Sequence, residues 1–183
     1  MGTRSQKWLS LSDLRKLGFA DYLILLLLPE PVVRGNVRYK GEPKIKLWKK
    51  IDVDKAMTTL PFLLHQAIQS VNIVNITKED LRDLYSELVK KEYAPEFFDR
   101  WCVNHVRHDP ATAYDETRKW LLDKVPDKDE AYVLFKAAVL MKIAMVCPDL
   151  ASDAEDLIRE LVRDLPESCG HVVRRIRTRG RAL

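Results

Sequence analysis

The stretch KIKLWKKIDVDKAM, residues 44–57, changes periodicity in its middle, and this change limits the folds open to the chain. In its first half, KIKLWKK, lysines alternate with apolar residues, which is typical of a half-buried β-strand. The alternation predicts that Ile45 and Leu47 face the core, that the lysines face solvent and that Trp48 lies at the rim. In its second half, IDVDKAM, the apolar spacing becomes helical, with Asp52 as the expected N-cap.

The residues before this strand predict two short helices and a hairpin. SLSDLRKLG begins with Ser10 as N-cap and Asp13 three residues later, a capping-box pattern, and Gly18 is expected to end this helix. FADYLILLLLPEP resumes the helical pattern and stops at its prolines. Turn signals between residues 31 and 43, with VRYK as a short strand between them, predict a loop or hairpin.

The predicted order is therefore helix, turn, helix, strand, strand, helix. This is the order of a small winged-helix domain of the kind found in MerR-type regulators and phage excisionases, in which a basic hairpin forms the wing. Lysines on such a wing lie along phosphates.

Part of this segment resembles a more particular family. PEPVVRGNVRYKGEPKIKLW is similar to the DNA-binding segment of the xeroderma pigmentosum group A repair proteins, and of uncharacterised bacterial proteins that share it. The resemblance covers roughly residues 8–57 and lacks the family's four-cysteine zinc module. It implies a DNA-binding winged fold and does not imply a repair function. The matching residues are Glu30, Pro31, Asn36, Tyr39, Pro43, Lys46, Leu47 and Trp48.

Charge is distributed unevenly along the chain. Residues 1–55 carry a net charge of +6, residues 56–170 of −7 and residues 171–183 of +5. Basic ends on an acidic middle favour contact between the ends and a polyanion. The expected nucleic-acid-binding residues are Arg34, Arg38, Tyr39, Lys40, Lys44, Lys46, Trp48, Lys49 and Lys50 near the amino end, and Arg174, Arg175, Arg177, Arg179 and Arg181 near the carboxyl end.

The rest of the chain reads as helical. Between residues 59 and 168, amphipathic segments alternate with proline and capping signals, and the most apolar segment, EAYVLFKAAVLMKIAMVC, is expected at the centre of a bundle. The tail holds five arginines in eight positions and is not expected to fold by itself. We therefore expect a mainly α protein with a winged-helix domain at residues 1–58, a helical bundle at 59–168 and an Arg-rich tail at 169–183.

Candidate chemistry is concentrated in CVNHVRH, where Cys102, His105 and His108 are three residues apart. Three residues advance a helix by 300°, so these side chains drift around the helix. Together with Cys147 they have the ligand types of a zinc site, and Cys102 with His105 has those of a nucleophilic pair. No further ligand pair has zinc-finger spacing and no third residue orients a nucleophile, so we expect no metal, no cofactor and no catalytic residue.

The predicted function is non-enzymatic binding of nucleic acid, with DNA favoured by the winged-helix pattern. One alternative is an RNA-binding subunit of a ribonucleoprotein, which the Arg-rich tail and exposed aromatic residues would suit. Another is a protein-interaction adaptor, and a protein partner or self-association through the helical bundle is also expected. Three cysteines without framework spacing, the lack of a signal peptide and the lack of a bilayer-length apolar run favour a cytoplasmic location without membrane contact.

Overall fold

The protein is mainly helical, which confirms the predicted class. The chain divides into two compact units, Met1–Phe62 and Leu63–Leu183. Among the residues described, no helix combines the length and the apolar character needed to cross a membrane. The computed structural model describes residues 7–35, 44–88, 95–107, 115–147, 151–163 and 165–180.

The first unit contains a short antiparallel sheet and short helices. The strands lie in the order β1-β3-β2, so β3 is the central strand and pairs with both others. Strands β1 and β2 were not predicted, and the VRYK residues 37–40, where a strand was predicted, lie outside the described residues. The elements are β1 (Trp8–Ser10), α1 (Leu11–Lys16), α2 (Asp21–Leu27), β2 (Val32–Arg34), β3 (Ile45–Lys49) and α3 (Lys50–Ala56).

The predicted capping of α1 is confirmed at both ends. The Ser10 backbone N–H donates to Asp13 Oδ2 at 2.9 Å, and the Asp13 backbone N–H donates to Ser10 Oγ at 3.3 Å, which completes a capping box. These hydrogen bonds from Ser10 lower the pKa of Asp13. Gly18 has a φ of 88°, in the left-handed region, and donates to the Arg15 carbonyl to close the helix.

The predicted orientation of β3 is wrong. Trp48 is only 5% exposed, and its indole N–H donates to the Pro29 carbonyl at 3.0 Å, whereas Ile45 is exposed and Leu47 is half-buried. The reason is the register: β1 places Leu9 opposite Trp48, and both side chains are buried on the same face of the sheet. Because side chains alternate along a strand, Ile45 and Leu47 then belong to the other face.

The predicted start of α3 is also wrong. The helix begins at Lys50 with Lys49 as its N-cap residue, and Asp52 lies in its first turn instead. The Lys50 N–H donates to the Lys7 carbonyl at 3.0 Å, so the pairing along β1 keeps the backbone extended up to the helix. In the first turn, the Asp52 carboxylate still complements the helix dipole.

The second unit is a bundle with α8 at its centre, as predicted. Helix α8 packs against α7, α9 and α10, and ten of its residues are buried. A two-stranded antiparallel pair, β4 with β5, was not predicted. Helix α4 includes the boundary between the units. The elements that complete the chain are α4 (Leu60–Ser70), β4 (Asn72–Ile73), α5 (Lys78–Leu88), α6 (Pro95–His105), β5 (Val106–Arg107), α7 (Asp115–Lys124), α8 (Lys128–Val146), α9 (Ala151–Val162) and α10 (Glu167–Gly180).

Most of the expected Arg-rich tail is helical and partly buried. Helix α10 covers residues 167–180, and Cys169, Val172, Val173 and Ile176 are buried on one of its faces. Residues 181–183 lie outside the described residues. The apolar side chains therefore anchor a segment whose arginines alone would favour solvent.

Replacing Trp48 tests whether the first unit depends on its burial. Trp48→Phe keeps most of the ring but leaves the Pro29 carbonyl without its donor, so we expect a loss of about 1–3 kcal/mol of stability. Trp48→Ala should cost about 3–5 kcal/mol. Hydrogen exchange of the β3 amides, followed by mass spectrometry, measures this loss locally. The control is Trp8→Phe on the opposite face of the sheet, and equal losses for Trp48→Phe and the control would contradict the assignment.

Candidate nucleic-acid interface

The hairpin formed by β2 and β3 carries exposed basic side chains. Arg34 on β2, Lys46 and Lys49 on β3, and Lys44 immediately before β3 are all exposed. Because side chains alternate, Lys49 and Arg34 lie on the face opposite to Trp48, whereas Lys46 shares its face. The hairpin therefore presents positive charge on both of its faces.

Trp8 and Arg34 form a contact that the sequence pattern did not predict. The Arg34 guanidinium lies over the Trp8 ring at 5.2 Å from its centroid. A cation–π contact of this kind is worth about 0.5–1 kcal/mol at an exposed site, and it holds the guanidinium on the outer face of the sheet. The sequence feature that marks strand β1 is the apolar pair Trp8-Leu9 just before the Ser10 cap. This pair is too short to be recognised as a strand by its periodicity.

Lys50 already has a partner in the structure. Its Nζ contacts both carboxylate oxygens of Asp54, at 2.7 and 2.6 Å, one helical turn further along α3. Both side chains are about half exposed, so the pair adds little stability and is open to exchange with a phosphate. Lys50 is thus the least available of the basic side chains described around the hairpin.

The remaining predicted residues near the amino end are Trp48, which is buried, and three residues that the structure does not describe. Trp48 is buried, so the expectation of an exposed ring for stacking is wrong, and its side chain belongs to the core. Arg38, Tyr39 and Lys40 lie outside the described residues.

Four of the five predicted carboxyl-terminal arginines lie in α10. Arg174 and Arg175 are exposed, on the side away from the buried Val172 and Val173. An Arg174 guanidinium nitrogen lies 3.3 Å from His171 Nδ1. Arg177 and Arg179 lie in the helix without described side chains, and Arg181 lies outside the described residues. The amphipathic pattern of α10 thus directs at least two arginines to solvent in the second unit.

Cys102 is not placed as a nucleophile. It is fully buried, and burial together with the nearby Asp99 carboxylate raises the pKa of its thiol well above 9.0. The thiol therefore stays protonated at neutral pH, which removes the chemistry expected of a Cys/His pair.

His105 instead faces Asp80, a residue outside the predicted set of candidate site residues. His105 Nε2 lies 3.7 Å from Asp80 Oδ1, and the His105 ring lies against Trp101 with centroids 4.7 Å apart. The Asp80 backbone carbonyl accepts a hydrogen bond from the Trp101 indole at 3.1 Å. Two segments distant in sequence meet here, which no helical spacing within α6 indicates.

The other oxygen of Asp80 caps helix α5. Asp80 Oδ2 accepts from the Thr77 hydroxyl at 2.6 Å and from the Thr77 N–H at 2.8 Å. These two bonds lower the pKa of Asp80, and the His105 ring lowers it further. Asp80 therefore has a structural role at the start of α5.

Of the predicted cysteine and histidines, the structure describes Cys102 and His105, and these two side chains have different surroundings. Cys102 is buried, His105 pairs with Asp80, and His108 lies outside the described residues. Within the described ranges, no three or more His, Cys, Asp and Glu side chains form a group that could hold a metal ion. The hairpin is therefore the stronger candidate for a functional site, and the segment CVNHVRH is the weaker one.

Comparison with known proteins gives no independent assignment: no family model matches the chain, and no match is found among curated proteins or solved structures.

Alkylation tests the placement of the cysteines. Cys169 is buried and the pKa of its thiol is raised to about 12, so roughly one thiol in ten thousand is ionised at pH 8. We expect iodoacetamide to modify the half-buried Cys147 first, and Cys102 and Cys169 only after unfolding in urea. Mass spectrometry of tryptic peptides gives the order. Reaction of Cys102 as fast as Cys147 in the folded protein would contradict its burial.

The Asp80→Asn variant tests the charge at the start of α5. A carboxylate whose pKa is lowered by folding stabilises the protein above its ordinary pKa of 3.8, and this stability is lost as the pH falls through the folded value. Loss of a capping interaction worth about 1 kcal/mol should lower Tm by about 2–4 °C at pH 7. The difference from wild type should shrink as the pH falls below 3.8.

The matched control is Asp83→Asn, an exposed carboxylate on the same helix. It should change Tm little at either pH. Calorimetry of both variants from pH 7 to pH 2.5 gives the comparison. A Tm difference for Asp80→Asn that does not vary with pH would show that the carboxylate charge is not the stabilising group.

Proposed function

We propose that the first unit is a winged-helix module that binds nucleic acid without catalysing a reaction, and that duplex DNA is its favoured ligand. The observation that carries the proposal is the antiparallel hairpin with its exposed Arg34, Lys44, Lys46 and Lys49. This hairpin follows two short helices and precedes a third, which is the element order of a winged-helix domain. In this interpretation, β2 and β3 form the wing.

The mechanism of binding is neutralisation of phosphates. Each phosphate contacted by a lysine or arginine releases condensed counterions, so the logarithm of the binding constant falls with the logarithm of the salt concentration. Arg34 has a particular role because the Trp8 ring holds its guanidinium, whose planar fork suits bidentate contact with a phosphate. The wing would thus supply affinity and orientation.

Helix α2 is not suited to reading base edges. The helix has the sequence DYLILLL, and it contributes no lysine, arginine, asparagine or glutamine to contact base edges. Its first turn carries the acidic Asp21, which would repel a phosphate. We therefore propose that binding depends on backbone and shape, with small differences in affinity between sequences.

The second unit would contribute a separate basic surface. Arg174 and Arg175 are exposed on α10, and the amphipathic packing of this helix holds them in place. We propose that they contact phosphates independently of the wing, so that removing them lowers affinity without removing binding.

The proposal of a non-enzymatic role is supported by the candidate reactive segment itself. The Cys102 thiol is buried with a raised pKa, and His105 faces the carboxylate that caps α5. Neither arrangement leaves an activated nucleophile beside an accessible base.

Binding assays with matched ligands separate the proposed ligand from its alternatives. Fluorescence anisotropy of the full chain with a labelled DNA duplex, an RNA hairpin and an unstructured single strand of equal length gives three binding curves. We expect the duplex to bind most tightly and scrambled duplexes to bind within a few-fold of each other. Preference for one folded RNA would support the RNA-binding alternative, and the lack of saturable binding to any ligand would favour the adaptor alternative.

Charge reversal tests the wing directly. Lys44→Glu and Lys49→Glu, two exposed positions outside the groove described below, should each weaken duplex binding by about 1 kcal/mol and reduce the salt slope by about 1 per lost contact. The control is Lys55→Glu, which makes the same charge change at an exposed position on α3. If all three variants lose affinity equally, net charge rather than the wing accounts for binding, and the assignment of the wing is overturned.

A further inference from the structure

An open groove lies beside the proposed wing, between α1, α2 and β3. It has a volume of about 330 Å³. Ile24 of α2, Leu28 immediately after this helix and Trp48 are buried and form its apolar floor, and the exposed Pro29 also lines it. The groove is contained within the first unit, and none of the proposed phosphate contacts except Lys46 borders it.

A large apolar side chain stands at the edge of this groove and faces solvent. Leu25, on α2, is 84% exposed, and it lines the groove together with Ile24. A single exposed leucine is common on protein surfaces, but one that borders an apolar groove is part of a larger apolar patch. The same surface therefore offers both a projecting side chain and a recess of the size that accepts one.

The rim of the groove carries equal numbers of positive and negative side chains. Arg15 and Lys46 are the cations, and Asp21 and Glu30 are the anions. Arg15 lies 3.3 Å from Asp21, and both side chains are more than half exposed. A rim with balanced charge does not suit a polyanion, because the two carboxylates would face phosphates.

We propose that this groove is a self-association surface, in which a second copy of the chain docks through a two-fold axis. In an interface of this kind the same patch is used on both copies, so it must be complementary to itself. Here each Leu25 would enter the groove of the other copy. Arg15 and Asp21 already pair within each copy, and Lys46 and Glu30 are the rim charges that can meet Glu30 and Lys46 of the second copy. A partner of one charge sign would leave half of the rim unmatched.

This interface differs from the predicted self-association through the helical bundle. It belongs to the first unit, and it requires neither the bundle nor a nucleic acid. Its apolar centre is small compared with that of obligate dimers, so we expect a reversible dimer with a dissociation constant in the micromolar range.

Sedimentation equilibrium of the full chain without nucleic acid tests the proposal. Wild type should shift from monomer to dimer as its concentration rises from about 1 to about 200 μM. Leu25→Glu, which would bury a charge in the partner's groove, should weaken dimerisation by about tenfold or more. The matched control is Ile51→Glu, at a 61% exposed position on α3 outside the groove, and it should dimerise as wild type does.

A cysteine at position 25 tests the two-fold geometry. If each Leu25 enters the groove that the other Leu25 borders, two Leu25→Cys side chains lie close together, and mild oxidation should produce a disulfide-linked dimer. Ile51→Cys should give no more linked dimer than wild type, whose native cysteines set the background. A chain that stays monomeric at 200 μM, or a dimer that is unaffected by Leu25→Glu, overturns the proposal.

Discussion

The structure of the first unit depends on which face of β3 packs against its helices. Once Trp48 is buried against Leu9 and its indole N–H is bonded to the Pro29 carbonyl, the period-two alternation of a strand fixes the other positions. Leu47 and Lys49 must then lie on the outer face. A slip of one residue would reverse every side chain, turn Lys49 inward together with Ile45 and Leu47, and expose the indole. The face of the hairpin on which each basic side chain lies is therefore a consequence of how one tryptophan packs.

Local features were predictable from the sequence because their chemistry is local. The Ser10 and Asp13 capping box, the Gly18 terminator and the Thr77 and Asp80 box each depend on residues within a few positions. The central place of α8 was predictable because a helix that is apolar on most of its faces needs neighbours around it.

Features that depend on pairing between distant segments were not predictable. The side of Trp48 is set by β1, a strand of three residues that carries no periodic signal, and the start of α3 at Lys50 is set by the same pairing. The meeting of His105 with Asp80 joins two different helices, so the spacing within CVNHVRH gave no sign of it. By contrast, the ion pair between Lys50 and Asp54 has the four-residue spacing of a helical ion pair. It follows from the sequence as soon as the helix is known to begin at Lys50.

The two surfaces proposed for the first unit are compatible because they differ in their physical character. The wing carries exposed cations on a strand hairpin, whereas the groove has an apolar floor and a rim of balanced charge, and Lys46 is the described side chain that the two surfaces share. A polyanion prefers the first surface and a second copy of the chain prefers the second. If both proposals hold, a dimer carries two wings. Its affinity for a duplex long enough to reach both then rises through effective concentration, and its dependence on salt steepens with the doubled number of phosphate contacts. A surface without base-reading side chains thus gains affinity from the number of phosphates of the duplex that it contacts at the same time.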